Sequence, residues 1–144
     1  MHHVSTINPA AAHTPDIYQG HSTGFRRATY VDRAAGSVHM GTGICYLEPG
    51  GVIQPHLHSF EETFYILEGQ VIAQIGDEAY LLGPGHFGLI STGITHAWRC
   101  AGSGPASWLE MQAPQPRTRD YGRDTFFAGG AVATSAAAPD PASA

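Results

Sequence analysis

Apolar and polar residues alternate along several short stretches of the chain, and turns containing Gly or Pro separate these stretches. Alternation with a period of two is typical of β-strands with one buried face. The pattern predicts strands at residues 25–31, 38–47, 52–58, 62–68, 70–75, 78–82, 86–91, 95–100 and 106–112. Short strands at this regular spacing, with no helical pattern between them, predict an all-β antiparallel sandwich or barrel.

Two of the predicted strands show which side chains share a face. The shared faces carry Glu62, Phe64 and Ile66 in one strand, and His96, Trp98 and Cys100 in the other. In both strands the opposite face is not uniformly polar. We therefore expect both faces to be partly covered, as in a two-sheet sandwich or an oligomer.

The two ends of the chain lack the alternating pattern. Residues 1–24 mix His, Ala, Pro and Thr without periodicity, which predicts an irregular N-terminal arm before a barrel domain at 25–127. Residues 128–144 are rich in Ala and Pro and almost uncharged. Because such a composition offers little apolar bulk to bury, we expect a disordered C-terminal tail that contributes little to stability.

Composition narrows the class of protein. The 144 residues are enough for one domain with one core, and charged residues make up only 13% of them. The net charge is −5, and all seven basic residues are Arg that form no stripe, which argues against binding to nucleic acid or an anionic membrane. No apolar run is long enough to span a bilayer, and no secretory signal pattern opens the chain, so we expect a cytoplasmic protein.

The chemistry-bearing residues are histidines rather than cysteines. Cys45 and Cys100 lie far apart in the sequence and predict small buried hydrophobes in a reducing compartment, not a disulfide framework. The nine histidines are unusually many for a chain of this length. Because imidazole is a common metal ligand and titrates near neutral pH, the positions of these histidines indicate where to look for function.

Four residues have spacings that suit a metal ion. His56 and His58 are two residues apart, and on a strand both imidazoles point to the same face. A short bend after His58 would bring Glu62 back beside them, and His96 would add a third imidazole from a later strand. Three imidazoles and one carboxylate leave coordination positions open for substrate, water or dioxygen, as a catalytic metal requires.

These residues lie in a pattern that resembles the two sequence motifs of the cupin superfamily. The first motif, G-x5-H-x-H-x3-E-x6-G, is matched at every spacing by Gly50, His56, His58, Glu62 and Gly69. The second motif, G-x5-P-x-G-x2-H-x3-N, is matched by Gly85, Gly93 and His96, while Ser91 replaces its Pro and Cys100 its Asn. Neither replacement affects a ligand position.

The resemblance implies a double-stranded β-helix, or jelly-roll barrel, with one divalent transition-metal ion (Fe, Mn, Ni or Zn) inside its mouth. The family's ligand roles are carried over to His56, His58, Glu62 and His96. The alternative is a cupin in which these side chains only pack and form hydrogen bonds. The family also commonly dimerises, and the apolar outer faces of the strands agree with a homodimer.

Side chains on the ligand-bearing faces are the candidate lining of a substrate pocket. They are Gln54, Phe64, Trp98 and Cys100. On the neighbouring strand either Trp108 and Glu110 or Leu109 and Met111 face inward, and alternation does not decide between them. An aromatic, mostly apolar lining suits a small organic ligand that coordinates the metal. In the alternative, these aromatic side chains only fill the barrel.

Cupins carry many activities, so the fold does not fix the function. The resemblance favours a quercetinase-like dioxygenase acting on a small metal-chelating organic substrate, with Glu62 as the catalytic proton acceptor. One alternative is a non-catalytic metal- or ligand-binding sensor, and another is a metal-dependent lyase or isomerase. An inward-facing Glu110 would favour an enzyme over a sensor, because it would add a second acid–base group.

Overall fold

The computed structural model describes residues 2–116 and 124–141. Two short 3-10 turns, Pro9–Ala11 and Asp16–Tyr18, precede the strands. The strands are β1 (Ser22–Val31), β2 (Gly41–His58), β3 (Glu61–Glu68), β4 (Val71–Ile75), β5 (Glu78–Leu82), β6 (Phe87–Ile90), β7 (His96–Cys100), β8 (Ala106–Ala113) and β9 (Thr125–Phe127). No helix in the described part of the chain is long and apolar enough to cross a membrane.

The sheet is antiparallel and follows the order β5-β4-β7-β2-β8-β3-β6, with β1 and β9 also paired to β2. The predicted strands 38–47 and 52–58 are one long strand, β2, that bends where Gly50 adopts a φ of +76°. The first half of β2 pairs with β8 and the second half with β7. Curling around this shared strand produces the predicted all-β jelly-roll barrel, which is thereby confirmed.

Aromatic side chains fill the interior of the barrel. The rings of Trp98 and Trp108 stack with centroids 4.6 Å apart, and the ring of Phe64 meets Trp98 edge-on at 5.1 Å. Trp108 and Glu110 are buried, whereas Leu109 and Met111 are only partly covered. The inward face of β8 is therefore the one with Trp108 and Glu110, which settles the register that the sequence left open.

The predicted place of Gln54 in the pocket is wrong, because its side chain is exposed. The pairing of β2 with β7 shifts register between Ile53 and His56. This irregularity breaks the alternation that placed Gln54 on the same face as His56, and the side chain of Ile53 is buried instead, with 2% exposure. A β-bulge of this kind re-aims side chains and leaves no signature in the apolar pattern.

The two ends of the chain lie against the barrel. In the irregular arm, Tyr18 is buried with 8% exposure. Residues 128–141 have almost no regular structure, as predicted, but they are held to the barrel. The Arg99 guanidinium donates to the carbonyls of Val132 and Ala133, and a backbone amide of β5 donates to the carbonyl of Ala137. The sequence thus identified the irregularity of this segment but not its docking.

Candidate metal centre

Three buried histidines converge at one end of the barrel. His56 and His58 come from β2, and His96 begins β7 directly opposite His56 in the strand register. One ring nitrogen of each lies within 4.8 Å of those of the other two. Each side chain is 1–2% exposed. Three imidazoles at this separation could hold one metal ion.

Glu62 at the start of β3 joins the three histidines. Its Oε2 lies 3.2 Å from Nε2 of His58 and 3.5 Å from Nε2 of His96, and its side chain is 2% exposed. The bend at residues 59–60 returns the chain so that β3 carries Glu62 into the barrel, as the spacing suggested. The four side chains predicted as ligands therefore lie together, and their shared coordination of an ion stays a prediction.

Three of the facing atoms form no hydrogen bond of good geometry with any described residue, although they lie close to one another. They are Nε2 of His58, Nε2 of His96 and Oε2 of Glu62, and all three are buried. A buried polar atom without a partner costs about 1–3 kcal/mol, so native proteins rarely leave several together without a reason. Lone pairs of nitrogen and a carboxylate oxygen pointing at a common space fit a divalent transition-metal ion.

The opposite ring nitrogens are each held by a partner. Nδ1 of His56 lies 2.8 Å from the Gln54 carbonyl, and Nδ1 of His96 lies 3.0 Å from the Ile94 carbonyl. A carbonyl oxygen only accepts, so both rings carry their proton on Nδ1 and leave Nε2 free for a metal. Nδ1 of His58 lies 2.9 Å from the hydroxyl of Thr125 on β9.

The pKa values of these groups follow from their burial and their mutual contacts. Burial and the neighbouring His96 and His58 hold the pKa of His56 well below its usual value. Burial alone would raise the pKa of Glu62, but the imidazoles of His58 and His96 outweigh it and hold this pKa well below 4.5. Burial would lower the pKa of His96, but the Glu62 carboxylate raises it.

Aromatic side chains that the sequence did not single out surround the histidines. Phe60 stacks on His58 with centroids 4.3 Å apart, and Tyr18 meets His56 edge-on at 5.5 Å. Phe127 of β9 also lies beside His56, at 5.4 Å. Tyr18 and Phe127 come from regions outside the alternating pattern, so no sequence signal pointed to them. Thr125 was missed for the same reason.

Of the other predicted pocket residues, three lie in the core of the barrel and one, Glu110, pairs with an arginine of β1. Phe64 and Trp98 pack against each other in the core, and the Cys100 thiol donates to the Gly104 carbonyl at 3.3 Å. Glu110 forms a buried ion pair with Arg27 of β1. Burial raises the pKa of Glu110 even though Arg27 opposes that shift. The role of these four residues in binding a substrate stays a prediction.

A cavity of about 320 Å³ lies near the histidine cluster, although the four candidate ligands are not among the described residues that line it. Three of its lining residues, Tyr18, Phe60 and Thr125, also contact the histidines. Its other wall includes Arg27 and Gln112. Gln112 of β8 lies opposite Glu62 of β3 in the strand register. We call it the Arg27 cavity. Its volume suits a small organic molecule.

The family model of the cupin domain matches residues 43–112, which contain β2 to β8 apart from the first residues of β2 and the last of β8. Over these residues the chain matches a cupin domain, in agreement with the barrel fold and the buried histidines. No curated protein matches the sequence.

Solved structures with the same fold come from several bacteria. The polyketide cyclase RemF from Streptomyces resistomycificus has a TM-score of 0.68 at 17% identity, covering 78% of this chain and 81% of that one. A cupin-like protein from Thermotoga maritima has a TM-score of 0.63 at 18% identity, covering 75% and 79%. Oxalate decarboxylase from Lactobacillus farciminis has a TM-score of 0.63 at 16% identity, covering 81% and 33%. These similarities concern the fold.

Proposed function

We propose that this protein is a metal-dependent enzyme that acts on a small, metal-chelating organic substrate, as a quercetinase-like dioxygenase does. The observation that carries the proposal is the set of buried atoms on His58, Glu62 and His96 that face one another and form no hydrogen bond of good geometry with the described residues. The donor types suit Fe, Mn, Ni or Zn. The Arg27 cavity shares Tyr18, Phe60 and Thr125 with the surroundings of the histidines and would give a small substrate a place near them.

The protein's own residues would hold the ion and move the proton. His56, His58 and His96 would bind it through Nε2. A divalent transition metal supplies open coordination positions and Lewis acidity toward a chelating oxygen of the substrate. Because its pKa is low, Glu62 is ionised near neutral pH. Its carboxylate would bind the ion and accept a proton from the substrate when it shifts away.

Glu110 favours an enzyme over a binding or sensor protein. Its side chain faces the interior of the barrel and is 5% exposed. Both the Glu62 carboxylate and burial raise the pKa of Glu110, while Arg27 opposes them. Two carboxylates whose surroundings push their pKa values in opposite directions are a common basis for acid–base chemistry.

The same pair supports a second candidate, a metal-dependent lyase or isomerase. Proton removal by Glu62 and proton return by Glu110 would need no dioxygen. One structural neighbour, RemF, is named as a polyketide cyclase, although at 17% identity it shows only the fold. Oxygen dependence therefore separates the two candidates.

The test begins with metal analysis of protein purified without a metal-affinity step. Aromatic diols, flavonols, hydroxy-keto acids and small carboxylates are then screened with Fe(II), Mn(II), Ni(II) or Zn(II), in air and under nitrogen. Turnover with oxygen consumption in air alone supports the dioxygenase, and turnover under nitrogen supports the lyase or isomerase. A metal-replete protein that binds one of these compounds tightly and converts none is a binding protein or sensor.

Glu62→Gln tests the proton-accepting role. Gln keeps the size and one oxygen donor but loses the charge and the base. We expect partial metal binding and a fall in turnover of about 100-fold or more, the usual scale for a positioned acid–base group. The matched control is Glu61→Gln, since Glu61 is the exposed neighbour on the same strand. Equal activity of the two variants would contradict the role of Glu62.

A further inference from the structure

Arg27 is an inward-facing cation in the wall of the cavity beside the metal centre. Its side chain is 11% exposed and forms a buried ion pair with Glu110. We propose that Arg27 binds the carboxylate group of the substrate in this cavity, so that the substrate is a small organic acid. This inference rests on the proposed function in one respect: the organic acid that Arg27 binds would also coordinate the proposed metal ion.

The local structure makes room for this guanidinium. Gly43 lies in β2 next to the Arg27 side chain, and a Cβ at Gly43 would stand 2.7 Å from the guanidinium carbon of Arg27. Glycine inside a strand weakens it and marks close approach of another group. Replacing a buried Arg–Glu pair by apolar residues is also often neutral or stabilising. Two unfavourable choices at one point indicate selection for something other than stability.

The guanidinium has donors to spare. Its Nε–H donates to Glu110, one terminal nitrogen donates to the Thr29 hydroxyl at 2.6 Å, and the other reaches the Gln112 side-chain oxygen only at 3.5 Å. Arg has five N–H groups, so two remain uncommitted among the described residues, and the Gln112 contact is weak. Two terminal N–H groups of one guanidinium match the two oxygens of a carboxylate.

The cavity favours a singly charged group. Arg27 is the only permanently charged cation among the described residues lining it, and a phosphate would ordinarily recruit more. Asp32 also lines the cavity, but its Oδ1 accepts the backbone amides of Ala34 and Ala35 at 2.8 and 3.1 Å. The amide of Gln115 adds a neutral polar group to the wall.

The experiment compares two chelating probes of nearly equal size, salicylate and salicylamide, which differ in the carboxylate. Calorimetry measures both affinities for the Co(II)-loaded protein, and the visible absorption of Co(II) reports coordination. Benzoate and inorganic phosphate are measured on the metal-free protein. The variant is Arg27→Gln, and its matched control is Arg26→Gln, because the neighbouring Arg26 is exposed and pairs with Glu48.

We expect Arg27→Gln to weaken salicylate binding by about 10- to 100-fold, as for loss of a charge-assisted hydrogen bond. Salicylamide binding stays nearly unchanged, and Arg26→Gln changes neither. If Arg27→Gln does not fold because Glu110 loses its partner, the double variant Arg27→Gln/Glu110→Gln replaces it and shows the same selective loss.

Three results would overturn the inference. They are an equal effect of Arg27→Gln on both probes, no effect on either, or an Arg27-dependent affinity for phosphate above that for benzoate. Benzoate binding to the metal-free protein distinguishes failure of the carboxylate site from failure of the proposed metal-dependent function. Arg27-dependent benzoate binding in a protein that takes up no metal supports the carboxylate site and contradicts the metal enzyme.

Discussion

At the scale of single residues, the sequence revealed the four candidate metal ligands but not the residues that contact and orient them. His56, His58, Glu62 and His96 have fixed spacings on strands that are close in sequence or marked by motifs. Thr125 supports His58 from 67 residues away, across a contact that no local pattern encodes. Arg27 was overlooked because a lone Arg on a strand is ordinarily a surface residue.

Thr125→Val tests this support. Valine keeps the shape of threonine but cannot bond to Nδ1 of His58, so the imidazole loses its fixed orientation. Loss of such a partner usually weakens metal binding by about 10- to 100-fold. Competition with a chromophoric chelator measures the change. Thr92→Val, at an exposed position, is the control and should bind metal as the wild type does.

The metal-free protein should lose stability on acidification. The pKa of His56 in the folded protein lies well below 6.5, so folding favours its neutral form. The contribution of His56 to the free energy of unfolding is therefore present above pH 6.5 and is lost as pH falls. Glu62, with a folded pKa below 4.5, adds a second loss at lower pH. The pKa of His96 is raised, so this residue stabilises the folded protein at low pH. Its contribution to the free energy of unfolding is lost only as pH rises above 6.5.

Urea unfolding at several pH values below 6.5 checks this dependence. His56→Gln removes the first titrating group and should flatten the decline between pH 6.5 and 5. A decline that is equally steep in the variant would show that another group causes it.

At the scale of elements, alternation predicted the strands well because each has one face in the core. It failed where pairing was irregular or the segment short. The bulge beside Gln54 reverses the expected face, and β9 has only three residues, which is too few for a periodic signal. The bend of β2 joined two predicted strands into one.

Gly43→Ala tests the close approach of β1 to β2. The added methyl would lie 2.6 Å from the Ala28 carbonyl oxygen and 2.7 Å from the Arg27 guanidinium carbon. Relief of that overlap moves the strands apart and should cost about 1–3 kcal/mol of unfolding free energy. Urea unfolding measures it. Gly104→Ala, where a Cβ meets nothing within 4 Å, should be almost neutral.

Deletion of residues 128–144 tests the docking of the C-terminal segment. It removes the buried Val132 side chain and the hydrogen bonds that Arg99 donates. We expect a loss of about 1–2 kcal/mol, which lowers Tm by several degrees. Thr134→Ala, at an exposed position of the same segment, is the control and leaves Tm unchanged. An unchanged Tm in the deletion variant would show that the segment is only loosely held, as its composition suggested.

At the scale of the whole molecule, the barrel keeps apolar side chains on its outer surface. Tyr65 and Leu67 of β3 and Phe87 and Leu89 of β6 are 43–72% exposed. Tyr65 and Phe87 are neighbours across the two strands. Such a patch agrees with the homodimer expected from the sequence, which stays a prediction that sedimentation analysis can check.

The Thr125–His58 contact also has a consequence for the order in which the candidate site is completed during synthesis. All four ligand residues have been translated once the ribosome has passed His96, whereas Thr125 follows 29 residues later. The imidazole of His58 therefore gains its full set of contacts only after the last strand has been made. If the site binds a metal ion as proposed, the finished chain would hold it more tightly than a chain that ends before Thr125.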